Sequence, residues 1–215
     1  MTQEQLKKDI FDYWGNNASS WKRCAIDLLL ASEVIFANFA TMEFNAENGF
    51  DQDHIKFSGI LAPAIMLQGY AIEAALKANW IAQGKVVALN GQYKISAITK
   101  DNHDLVRIAK ELCFPLLPDE DEVLERLTLY TTSLGRYPVT KSSTKYPVIT
   151  RNTILQSQSQ IPLDLKKHCD TTKIIFERLI VEIDGHLRVN FFITDEDVPE
   201  DEFNGFVGSE LTKIV

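Results

Sequence analysis

The sequence has little of what usually declares a function. Only three cysteines occur in 215 residues, Cys24, Cys113 and Cys169, odd in number and far apart. Neither a disulfide framework nor paired metal knuckles can be read from them, and a reducing cytosol is the expected setting. There is no Gly-rich phosphate loop of the Walker or dinucleotide type, no HExxH, no CxxC and no GxSxG elbow, which removes the commonest enzyme classes. Glu182 and His186 stand four apart, but two ligands flanking a Gly185 helix stop do not make a metal site, so no metal and no cofactor is expected. Basic residues are also short: 22 Lys and Arg against 30 Asp and Glu leave a formal charge of -8. A protein that coats nucleic acid or anionic membrane with its whole surface is thereby excluded, while a local basic site is not. The opening MTQEQLKKDIFDYW lacks the apolar core of a signal peptide, and no uninterrupted apolar run reaches membrane-span length. A soluble, cytoplasmic protein without membrane contact is the expectation.

What is present is a core. With 45% hydrophobic and 24% charged residues the chain can bury one globular domain, read as residues 1–193 followed by an acidic tail over 194–215. Thr2 and Gln5 have capping-box spacing, and Leu6, Ile10, Phe11 and Trp14 recur at helical intervals up to Gly15. A second helix runs from Ser19 or Ser20 to about Thr41, and residues 43–58 read as a loop. Residues 60–83 are apolar almost all round, with Pro63 in the first turn and Gly84 as the stop, as in the central helix of a bundle. Asp101 or Asn102 caps a short helix, HDLVRIAKEL, that Pro115 and Pro118 end; residues 119–134 form another, acidic in its first turn and ended by Gly135. A long helix from Pro162 to Gly185 completes six, and HLRVNFFIT alternates loosely like a strand. The fold class is all-α, a bundle of five to six helices with a small β-hairpin or extended arm.

Three features point to chemistry. Between Arg126 and Leu163 the chain holds Arg126, Arg136, Lys141, Lys145 and Arg151 and no acid, so the other residues carry -13, five below the total of -8. Inside that stretch Arg136-Tyr137-Pro138-Val139 is echoed by Lys145-Tyr146-Pro147-Val148. Cations beside aromatic rings suit stacking on single-stranded bases and pairing with phosphate, whereas Gly135 and Pro138 also serve simply to end a helix. On the central helix Met66, Gly69, Tyr70, Glu73, Lys77 and Trp80 share one stripe, and Glu73 precedes Lys77 by four, so a partly buried pair between Tyr70 and Trp80 is expected, as a register lock or as part of a site. Gly69 there suggests a close helix crossing or a dimer contact. His103 and Asp104 open the short helix, where the macrodipole favours neutral imidazole, the form a general base needs.

The order GYAIEAALKANWIAQGK, then NHDLVRIAKEL, then LGRYP resembles the HEPN superfamily (higher eukaryotes and prokaryotes nucleotide-binding domain) over roughly Ile60 to Val139. The resemblance implies a helical bundle, usually a homodimer with its cleft at the interface. Many such proteins are metal-independent ribonucleases of toxin-antitoxin or antiphage systems. Others bind nucleotides or act as non-catalytic partners of nucleotidyltransferases. The ribonuclease pattern of Arg followed by His after four to six residues is absent here, so only GYAIEAALK, HDL and GRYP carry over. The leading expectation is therefore RNA or nucleotide binding, with endoribonuclease activity left open. His103 would act as the base, oriented by Glu73 or Asp104; Arg136, Lys141, Lys145 and Arg151 would hold phosphate; Tyr137 and Tyr146 would stack, beside Lys77 and Tyr70. The competing expectation is a non-catalytic dimerisation or interaction module that docks a cognate antitoxin or a nucleotidyltransferase.

Overall fold

Twenty-one residues of the most apolar stretch form one helix, Ala62–Ala82, and the other elements assemble around it. A computed structural model of the chain describes residues 2–40, 57–93, 103–134 and 161–194, with six α-helices and one two-stranded ribbon among them. They are α1 (Gln3–Gly15), α2 (Ala18–Ala40), α3 (Ala62–Ala82), β1 (Ala88–Leu89), β2 (Gln92–Tyr93), α4 (Leu105–Glu111), α5 (Glu120–Leu129) and α6 (Ile161–Thr194). Single π-helical turns, Phe57–Leu61 and Tyr130–Leu134, lead into α3 and out of α5. The all-α class is as the periodicity predicts.

Pro63 sits in the first turn of α3, where its missing N–H costs nothing. Gly84 closes the other end at φ +80, with its N–H on the Ile81 carbonyl (2.8 Å) and the Lys85 N–H on that of Trp80 (3.2 Å). Every residue from Ala71 to Asn79 is buried, because α2, α4, α5 and α6 all pack on this helix. Gly59–Ala82 is nevertheless long and apolar enough to cross a bilayer. That amends the expectation that no stretch reaches span length.

α5 crosses α3 at Gly69. A Cβ there would run into Thr131 Cγ2 and stand 3.1 Å from the Leu127 carbonyl oxygen, so this glycine serves a crossing within the chain and needs no dimer contact to explain it. Gly69→Ala gains roughly 1 kcal/mol of helix propensity, but a backbone carbonyl cannot step aside. The variant should be net destabilised by about 2 kcal/mol. Urea denaturation should show the loss, and Thr131→Ser, which deletes the clashing methyl group, should recover part of it.

Several boundaries differ from the sequence expectation. α6 passes through Gly185 to Thr194, so neither the stop nor the strand HLRVNFFIT is present. Glycine within a helix costs only about 1 kcal/mol, and the Leu187 side chain beyond it still packs on the core. The cap of α4 is Asp104, which accepts the Arg107 N–H at 3.0 Å; Asp101 and Asn102 lie outside the described residues. This helix ends at Glu111 with Leu112 as its cap, and Cys113, held at φ +57 with the Phe114 N–H on the Ala109 carbonyl (2.9 Å), turns the chain before the prolines act. The expected arm over 136–149, the Gly135 stop, most of the 43–58 loop and the tail beyond Thr194 also lie outside the described residues. A hairpin does occur, elsewhere. Asn90 (φ 56) and Gly91 (φ 70) make its turn, and Ala88 faces Tyr93 across the ribbon.

That ribbon docks on α1 through polar groups. The Asp12 carboxylate accepts the N–H groups of Asn90 (2.7 Å) and Gly91 (2.9 Å). Asn16 accepts from Val87 (2.8 Å) and Ala88 (3.0 Å) and donates to the Ala88 carbonyl (2.7 Å). An apolar helix stripe normally faces a core, yet no residue of α1 is buried.

Candidate functional site

The carboxylate of Glu73, on the buried middle of α3, binds two partners. Lys77, one turn on, donates to Oε1, and His103 Nδ1 donates to Oε2 at 2.8 Å. Burial alone would raise the Glu73 pKa; the hydrogen bond from His103 and the charge and hydrogen bond of Lys77 outweigh it and hold the carboxyl below its ordinary value. The Lys77 side chain is 7% exposed, and its ammonium sits 5.2 Å from the Trp21 ring centre and 5.5 Å from that of Tyr93. These two rings stack 6.0 Å apart at 25°, and Trp21 is fixed by its indole N–H on the Gly15 carbonyl (2.8 Å). Partial burial of the Tyr93 ring, with the Glu73 carboxylate facing it, pushes its hydroxyl pKa upward. A desolvated cation is thus matched by one carboxylate and two π-faces.

His103 is the open member. Its side chain is 36% exposed, and with Nδ1–H committed to Glu73 its Nε2 has no partner among the described residues. In a neutral ring, a carboxylate on one nitrogen sets the tautomer and leaves a lone pair on the other, which can accept from a hydroxyl or N–H of a ligand. Among the described residues no three metal-ligating side chains converge.

The sequence-derived residues therefore separate into three groups. His103, Glu73 and Lys77 come together, and the orienting acid is Glu73. Asp104 instead spends its side chain capping α4. The aromatic neighbours of the pair are Trp21 and Tyr93, from α2 and β2, and not Tyr70 and Trp80: the Tyr70 hydroxyl donates to the Thr131 carbonyl at 3.4 Å, and Trp80 stacks under Lys85 at 4.0 Å. Arg136, Tyr137, Lys141, Lys145, Tyr146 and Arg151 lie outside the described residues. Arg126, the first cation of that stretch, is on α5 and pairs with Glu122 at 2.7 Å.

A second polar cluster has no sequence signature. His168, 2% exposed on α6, donates from Nε2 to Gln68 Oε1 (3.1 Å) and accepts from Arg126 Nη1 at its Nδ1 (3.4 Å). Gln68 in turn directs its NH2 at Cys169 Sγ. Burial, helped by the Arg126 charge, lowers the His168 pKa to about 4. Glu120, also buried, accepts from Arg178 (2.6 Å) and the Leu117 N–H (2.7 Å), tying α5 to α6. Asn79 is fully buried with neither amide atom paired among the described residues, and nothing in the fold explains it. Comparison of the chain with family models, curated proteins and solved structures returns no match.

Proposed function

We propose that this chain binds RNA or a nucleotide at the bundle edge where His103 stands, in the manner of a HEPN-like protein, and that it cleaves RNA without a metal. The observation that carries the reading is the Glu73–His103 hydrogen bond, which fixes the ring through Nδ1 and leaves Nε2 without a partner among the described residues. In this reading His103 takes the proton of a ribose 2′-hydroxyl, while cations from the GRYP segment, Arg136 with Lys141 and Lys145, hold the phosphate and Tyr137 stacks on a base. The 2′-oxygen would then attack the adjacent phosphorus as its bond to the 5′-oxygen breaks, giving a 2′,3′-cyclic phosphate and a 5′-hydroxyl that takes its proton from water. The purified chain, in chelator, should cleave a single-stranded oligoribonucleotide, and His103→Gln should slow it about 100-fold or more with binding largely kept. Binding without cleavage in the wild type would remove the catalytic half of the proposal. No binding at all would remove both halves.

The second reading, an interaction module that docks a neighbouring protein such as an antitoxin or a nucleotidyltransferase, is favoured by a different place. Ile174 and Val181 on α6 are exposed beside a shallow cleft of about 410 Å³ lined by Phe114, Pro115 and Arg178. Apolar ridges of that kind commonly receive a partner.

A further inference from the structure

We infer that the outward stripe of α1 is the contact surface for a second copy of this chain. At 100° per residue Tyr13, Leu6, Ile10, Trp14 and Phe11 fall within an arc of about 160° that Gln3 and Lys7 share, and all five apolar residues are 42–63% exposed. Gly15, Lys8 and Asp12 occupy the opposite side. That side is the docked one: Asp12 holds the hairpin turn, a Cβ on Gly91 would lie 2.7 Å from Lys8 Cγ, and one on Gly15 would strike Ala88. An amphipathic helix fastened by its polar face and turned apolar side out is backwards for an isolated subunit.

Area and charge choose the occupant. Side chains of this size, half exposed, present roughly 500 Å² of mostly apolar surface, at the upper end of what a monomer leaves open. Two copies related by a two-fold axis would remove about 1,000 Å², where specific interfaces begin. In an antiparallel pairing Ile10 lies near the axis and Leu6 of each copy meets Trp14 of the other, an isologous contact that closes on itself. The chain as a whole carries -8, which opposes self-association over most of its surface. α1 is close to neutral, with Glu4, Asp9 and Asp12 against Lys7 and Lys8. A lipid surface fits poorly, because helices that lie on membranes present a basic polar face, and here the polar face is acidic and occupied by the hairpin. This inference stands independently of whether His103 acts on RNA.

Sedimentation velocity on the full chain between 1 and 100 µM should show a monomer–dimer equilibrium. Ile10→Glu with Trp14→Glu should raise the dimer dissociation constant by about 100-fold or more and leave far-UV circular dichroism unchanged, since neither side chain is buried in the subunit. Ile10→Ser with Phe11→Ser serves the same comparison if the charged pair fails to fold. A wild type that stays monomeric at 100 µM overturns the inference, as does a variant that dimerises like the wild type. A monomer whose Trp14 is shielded from acrylamide would show instead that the chain covers the stripe itself.

Discussion

Stability should fall as the pH drops from 6.5 towards 4, with His168 as a principal cause. In the folded chain this imidazole is buried, binds Gln68 through Nε2–H and offers only a lone pair to Arg126, so its pKa lies at about 4 instead of 6.5. Between those values the unfolded chain takes up a proton that the folded chain refuses, and protonation favours unfolding. The contribution is fully present above pH 6.5 and lost as the pH falls towards 4; for one histidine it amounts to about 3 kcal/mol. Urea midpoints at pH 7, 5.5 and 4.5 should therefore decline in the wild type and be much flatter in His168→Gln, which is neutral in both states. The variant starts lower at pH 7 through imperfect packing, and the gap closes as the medium acidifies. Parallel curves for the two proteins would mean that His168 takes a proton in the native bundle. Glu73 adds a separate decline below its ordinary 4.5, because its carboxyl is held lower still in the fold.

Removing one member of the Glu73–Lys77 pair should be the most damaging single change. Glu73→Ala leaves the ammonium of Lys77, whose side chain is 7% exposed in the wild type, without its counter-ion, and the expected cost is about 3–5 kcal/mol. For a chain of this size that is a fall of roughly 6–20 °C in Tm. Two stacked rings retain some of the attraction for the cation, but they cannot replace a carboxylate hydrogen bond. Glu73→Leu combined with Lys77→Met removes both charges and should recover most of the loss, since an apolar pair of similar volume has no desolvation to offset. Scanning calorimetry on the single and double variants checks this. A single variant within 1 °C of the wild type would show that Lys77 escapes to solvent when its partner is gone. Both variants also release His103, so any activity that depends on its orientation should be lost in the double variant even though stability returns.

How much of this is legible in the residues depends on whether the cause is local. α3 can be read because composition, Pro63 and Gly84 all mark it, and the Glu73–Lys77 spacing places two site groups on one face. His103 can be singled out from its position beside a helix start, but its partner could not be, because thirty residues separate it from Glu73 and both Glu73 and Asp104 were within reason. Trp21 and Tyr93 carry no local sign at all; they reach Lys77 because α2 and the hairpin are folded over it. The hairpin itself has a local signal, Asn90-Gly91 between residues able to pair, but it is weaker than the cations and β-branched residues over 136–149. α1 shows a deeper limit. Periodicity identifies an apolar stripe, but which side of a helix docks is settled here by Asp12 and Asn16 binding backbone groups more than seventy residues distant. The run through Gly185 is the reverse case, where a punctuating residue was outweighed by packing on either side of it.

The burial of α3 has a consequence for how the chain is made. Its neighbour α2 has already been synthesised when Ala82 is added, but α6, which covers the face holding Gln68, begins at Ile161, nearly eighty residues later. At about 5–20 residues per second a helix with the length and apolarity of a bilayer span waits roughly 4–16 s on the ribosome with one side uncovered. Until α6 arrives, Gln68 lacks the His168 ring that completes its hydrogen bonding in the finished bundle.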